Sequence, residues 1–220
     1  VVNSIDWNNV VIREDCPVKF EVLPREAGWA DVKCYINAIE FTSYVATIWH
    51  TSIPTGLLEA AYFFFDYDNQ HEKFFIETEE YEGPFIDNDG NEWASVPEKV
   101  SFMWDEEPGT YEWNINFDLH YFNKPDAMLN ITVKRSSDSE NKAYKTKVWL
   151  SDFAYAVAKC FTECLKKYGI NTYHFYTWTD DINIRQLLVV KAFALGLLSK
   201  SGEVFDLNFE DELKLLQLDM

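Results

Sequence analysis

Asp118 and His120 stand two residues apart in a run that alternates apolar and polar residues, so both project from one side of a strand. Such a pair suits proton transfer or half of a metal site, although a solvated pair opposite a buried Trp113 is the plainer reading. Cys160 and Cys164 are one helical turn apart, and their sulfurs could reach a single ion. They fall, however, on an apolar stripe with Phe153, Val157 and Phe161, where free cysteine packs as a small apolar group. Asp87-Asn88-Asp89-Gly90-Asn91-Glu92 has the look of a calcium loop. Aligning Gly90 with that loop's fixed glycine puts Phe85 at the first ligand position and Val96 at the last, and neither side chain supplies oxygen. A hairpin turn accounts for the segment better. Asp105, Glu106 and Glu107 beside Trp104 are the carboxylates nearest to what a glycoside hydrolase needs, with Trp93, Trp104 and Trp113 as a sugar platform. Core packing is the ordinary use of eight tryptophans. His50, His71 and His174 have no motif around them. The chain has no Gly-x-Ser-x-Gly elbow, phosphate-cradling glycine loop or dinucleotide fingerprint. No cofactor, metal or catalytic residue is therefore indicated.

The elements that position these residues change character along the chain. Val18-Lys19-Phe20-Glu21-Val22 has the period of a half-buried strand, as do Val32, Cys34 and Ile36. After Asn37-Ala38 the apolar parity moves to Ile39 and Phe41, which a bulge or a two-residue hairpin turn would produce. Pro54 followed by Leu57-Leu58-Glu59-Ala60-Ala61-Tyr62 reads as a short helix. From Lys73 to Thr132 the pattern is strands, with Phe74, Ile76 and Thr78 on one parity and turns at Asp87–Gly90 and Glu107-Pro108-Gly109. Trp113, Ile115, Phe117, Leu119 and Tyr121 line one face of a strand. Residues 136–141 are a polar connection and the best candidate linker. Helices follow, one from Ser151 as N-cap to Gly169 and one from Thr179 through Leu198, with a short amphipathic helix at Glu210 to Gln217. Residues 172–178 read as a strand or an extended link. Strands first and helices last predict an α+β fold, an antiparallel β-sheet from the N-terminal two-thirds packed by C-terminal helices on one face. The 220 residues make a single domain, with a subdivision into β-rich 1–135 and helical 142–220 as the alternative.

Composition removes whole classes. Apolar residues at 47% and aromatics at 17% exclude a disordered acidic tail. A net charge of −18 argues against binding nucleic acid, whose phosphates it would repel. No apolar run reaches the length of a membrane span. Four cysteines are sparse for a disulfide framework, so reduced thiols are expected, with a Cys16–Cys34 bridge as the alternative in an exported protein. A cytoplasmic location is expected, and the start at Val1 leaves export open. The charge is regional. Residues 1–110 hold 22 acids against 6 bases, whereas residues 111–220 hold 15 against 13. Residues 59–112 alone hold 16 acids against Lys73 and Lys99.

Glu77, Glu79, Glu80, Glu82, Asp87, Asp89, Asp105, Glu106 and Glu107 are thus the candidate partner-binding residues. A concentrated charge of this kind is expected to meet a basic protein, since complementarity speeds encounter and excludes wrong partners. The expected function is a non-catalytic acidic binding protein. One form is an inhibitor of a nuclease-type toxin that mimics the charge of the nucleic acid. In composition the chain is similar in character to bacterial toxin-immunity proteins, being acidic, aromatic-rich and without catalytic motifs. A carboxylate-dependent hydrolase and a structural or assembly subunit are the alternatives.

Overall fold

A computed structural model describes residues 6–25, 28–46, 53–65, 85–86, 92–93, 99–106, 109–118, 126–136, 141–177, 182–198 and 208–220, without the side chains of 53–55, 85–86, 92–93 and 170–177. The early alternation forms strand β1 (Val18–Arg25), which pairs antiparallel with β2 (Trp29–Ile36). β3 (Ile39–Ala46) returns along β2 in register, with Ile36 opposite Ile39. The parity switch is therefore a two-residue hairpin turn. Asn37 takes φ 57° there, a left-handed conformation that Asn tolerates better than most side chains.

Helix α1 (Ile53–Phe65) and a small hairpin, β4 (Phe85–Ile86) with β5 (Glu92–Trp93), come next in the chain. Ile86 pairs with Glu92, and residues 87–91 of the rejected calcium loop lie outside the described residues. A second meander follows: β6 (Val100–Asp105), β7 (Thr110–Phe117), β8 (Met128–Ser136) and β9 (Asn141–Trp149). The two meanders form one seven-stranded antiparallel sheet of order β1-β2-β3-β6-β7-β8-β9, in which Ala46 of β3 pairs with Asp105 of β6. Helices α2 (Leu150–Thr177), α3 (Ile184–Ala194) and α4 (Phe209–Gln217) complete the α+β fold. No helix among the described residues is long and apolar enough to cross a membrane.

The sheet curls strongly, as ring contacts across it require. Phe41 on β3 stacks on Tyr144 of β9 at 5.4 Å, and Phe20 on β1 meets Trp113 of β7 edge-on at 6.3 Å. Each pair is four strands apart, about 19 Å across a flat sheet at the usual strand spacing. Only a sheet rolled about its inner face brings them together. Asn37 also donates from the β2–β3 turn to Thr146 Oγ1 and the Lys147 carbonyl on β9, each at 2.8 Å. Helix α2 lies along β1 on the inner side, where Phe153 meets Phe20 edge-on at 5.8 Å. Helix α1 fills the second half of the concavity, with Phe64 against Phe117 at 4.7 Å.

Gly56 lets α1 come this close. A Cβ there would lie 2.6 Å from Cδ2 and 2.7 Å from Cγ of Phe102. Gly56→Ala is therefore expected to destabilise the protein by about 1–3 kcal/mol through overpacking. That outweighs the roughly 1 kcal/mol that alanine gains as a helix former. Chemical denaturation would measure it, with Phe102→Leu in the Gly56→Ala background restoring most of the loss. A stabilised Gly56→Ala protein would rule out this seating of α1.

Several expectations are corrected. Ser136 and Asn141, the ends of the expected linker, pair with each other as the last rung of β8 and β9, so the two sides of it belong to one sheet. The residues that follow it are a strand of the main sheet, so the helical part begins at Leu150 and not at 142. Ser151 does not cap α2. Its backbone N–H and hydroxyl donate to Asp126, at 3.1 and 2.5 Å, so the capping carboxylate comes from another segment. Gly169, at φ 72°, does break the helix, but residues 170–177 resume helical backbone where an extended segment was expected. The next helix is capped by Asn183, whose side chain accepts from the Gln186 N–H. The strand expected at Phe74, Ile76 and Thr78 lies outside the described residues.

Candidate functional site

Of the nine candidate acids, Asp105 and Glu106 fall among the described side chains. Glu77, Glu79, Glu80, Glu82, Asp87, Asp89 and Glu107 lie outside them. Glu106 is committed inside the fold. Its carboxylate takes both Nε, at 3.2 Å, and Nη2 of Arg135 on β8, and accepts from the Ser43 hydroxyl at 3.4 Å. This fork ties the β6–β7 turn to its neighbours, with the Arg135 guanidinium 5.7 Å from the Tyr111 ring. Burial, and then the charge of Glu106, push the Tyr111 phenol up to about 12. Asp105 ends β6 as the partner of Ala46 at the junction of the meanders.

The next acids along the chain are matched in the same way. Glu112 faces Lys134 at 3.9 Å, and its carboxyl is held below the usual range by the Asn114 amide and then by Lys134. Asp118, expected to be solvated, is 4% exposed and accepts from Lys147 at 2.6 Å. β7 ends at Phe117, so Asp118 no longer follows the strand's outward alternation, and its N–H bonds the Met128 carbonyl at 2.7 Å. His120 lies outside the described residues. Bases on β8 and β9 thus sit beside acids of the middle of the chain, and the near-balance of the C-terminal half has a structural use.

The remaining groupings are spent on packing. Trp104 and Trp113 are fully buried 4.7 Å apart, so neither offers an open face to a sugar. All four cysteines are free, and Cys16 and Cys34 are not joined. Cys160 and Cys164 lie in the core, where the hydrogen bond that the Cys160 thiol donates to Cys164, and then burial, raise the Cys160 thiol well above its ordinary value. Burial does the same to Cys34. Neutral thiols are poor nucleophiles and poor metal ligands. Among the described residues, no group of three or more His, Cys, Asp or Glu could hold a metal ion.

One feature carried no signal in the sequence. A cavity of about 260 Å³ opens between residues 13–20 and helix α2. Arg13, Cys16, Phe20, Tyr155 and Lys159 are among its lining residues. They come from segments some 140 positions apart, so no local pattern could have indicated them.

The described architecture is that of an α+β protein with a rolled antiparallel sheet around apolar helices. No protein-family model, curated protein or solved structure matches the chain.

Proposed function

We propose that this protein is a non-catalytic binding protein that engages a basic protein partner through the acids of residues 59–112, and that the partner is a nuclease-type toxin which it inhibits. The observation that carries the reading is the charge of that segment, 16 acids against 2 bases. Glu106 and Glu112, at its end, are attended by Arg135 and Lys134. The acids between residues 66 and 98 have only Lys73 as a base within their own stretch, and Lys99 just beyond it. Glu77, Glu79, Glu80, Glu82, Asp87 and Asp89 are therefore the groups for the partner, and Glu106 is a clamp of the fold. A concentrated field of one sign raises association rates for a partner of opposite sign and falls off within about 10 Å at 0.1 M salt.

The test is capture of a basic protein at low ionic strength, followed by association kinetics with that protein as salt is raised. Replacing the four glutamates by Gln and the two aspartates by Asn is expected to slow association by about tenfold or more. Glu106→Gln should act on stability instead. Capture that fails at low salt, or kinetics unchanged in the six-fold variant, would overturn the proposal.

A further inference from the structure

The cavity between residues 13–20 and α2 has the features of a built site. One wall is a stripe of α2, where Tyr155, Lys159 and Glu163 recur at one-turn spacing beside Ala156. Val18 and Phe20 form an apolar wall on the inner face of β1. The third wall is pinned in place. Arg13 Nη1 donates to Asp152 Oδ1 at 2.6 Å, and the Cys16 thiol reaches the Asp152 carbonyl at 3.5 Å. The guanidinium is thus anchored through one nitrogen while its Nε is buried with no hydrogen-bond partner.

Tyr155 repeats the pattern more sharply. The residue is 1% exposed, and its hydroxyl is buried without a partner. Leaving such a group unmatched is costly, and native proteins keep few of them. Lys159 forms no ion pair with any described residue, so its ammonium is a third donor on the same cavity. The acidic groups on the lining, Glu14 and Glu163, are exposed and stand at the mouth.

We infer that this cavity binds a small monocarboxylate, its two oxygens taking donors from Tyr155, Arg13 and Lys159 and its short apolar part lying on Val18, Phe20 and Ala156. Charge selects the class. Lys19 is held by Glu21 at 2.6 Å and Arg13 by Asp152, which leaves Lys159 as the lining cation without an ion pair among the described residues, so one negative charge is matched and a second would be repelled by Glu14 and Glu163. Volume agrees, since about 260 Å³ falls below the roughly 300–1,000 Å³ of pockets for drug-sized ligands and cofactors. The inference uses no residue of the acidic segment and does not depend on the partner proposed above.

The test is titration of the full chain with propionate, followed by amide chemical shifts. Inorganic phosphate and propylammonium serve as contrasting probes at matched ionic strength. Saturable shifts confined to residues 13–20 and 155–163, with a Kd in the millimolar range or below, are expected for propionate. Tyr155→Phe, which keeps the ring and removes the hydroxyl, should weaken binding by about tenfold, and Lys159→Met by a similar factor. Melting curves check that each variant folds, and if one does not, the other decides. Absence of saturable shifts with propionate, a preference for phosphate or propylammonium, or unchanged affinity in the folded variants would overturn the inference.

Discussion

Trp113→Ala is expected to lower the unfolding free energy by about 3–5 kcal/mol, a third or more of the stability of an ordinary domain. The indole is fully buried at the point where the rolled sheet meets itself. Its ring contacts Phe20 of β1, Phe41 of β3 and both Phe102 and Trp104 of β6, at 4.7 to 6.3 Å between centroids. Truncation removes a shared contact of three strands and leaves a cavity that stiff neighbouring rings cannot refill. Trp113→Phe should cost clearly less. Phenylalanine keeps a ring against Phe102 and eliminates an indole N–H that has no hydrogen-bond partner in the core. Urea unfolding of the three proteins measures both effects. Equal losses for the two variants would show that the ring contact is not what holds the halves of the sheet together.

The second large effect depends on pH. Lys191 on α3 is completely buried, and its ammonium donates to the Leu218 carbonyl at 2.6 Å, beyond the end of α4. Burial first, and then the neighbouring Lys166, lower its pKa from 10.5 to about 8, against a smaller opposing pull from Asp219. The folded state therefore resists the proton that the unfolded state holds. Below about pH 8 both states are protonated and the penalty acts in full, about 3 kcal/mol for a shift of this size. Between pH 8 and 10.5 the unfolded chain binds more protons than the folded one, so this residue's contribution to stability rises with pH. Other groups titrate in the same range, so the readout is the difference between the parent and Lys191→Met. Methionine removes the buried charge at the cost of one hydrogen bond to Leu218. The variant should match or exceed the parent near pH 7, and the difference should swing towards the parent by pH 10. A difference that stays flat from pH 7 to 10 would overturn the assignment.

Local physics was legible in the sequence wherever its cause was local. The move of apolar parity across Asn37-Ala38 indicated a turn or a bulge, and the turn formed because Asn37 accepts a positive φ. The alternation from Trp113 to Phe117 correctly assigned the buried face of β7. The stripe through Phe153, Val157 and Phe161 likewise assigned the inner side of α2. What escaped depended on distant partners. Ser151 looked like an N-cap because nothing in its neighbourhood reveals that Asp126, 25 residues earlier, supplies the carboxylate. Glu106 looked like a surface acid because Arg135 is 29 positions away. Asp118 was placed by strand parity that ends one residue too soon. The cavity at Arg13 and Tyr155 exists only after β1 has docked on α2.

The long connection between Ala46 and Asp105 also sets the order in which the chain can assemble. Each meander is built from hairpins whose partners are close in sequence, so β1–β3 and β6–β9 can each form by short, fast closures. Their union must close a loop of nearly sixty residues, a larger entropic cost than any hairpin turn. The aromatic rings of both halves meet inside once that loop has closed. The rate-limiting event is therefore expected to be side-chain docking of two preformed sheets, and substitutions at Phe41 or Trp113 should slow folding more than substitutions within either set of turns.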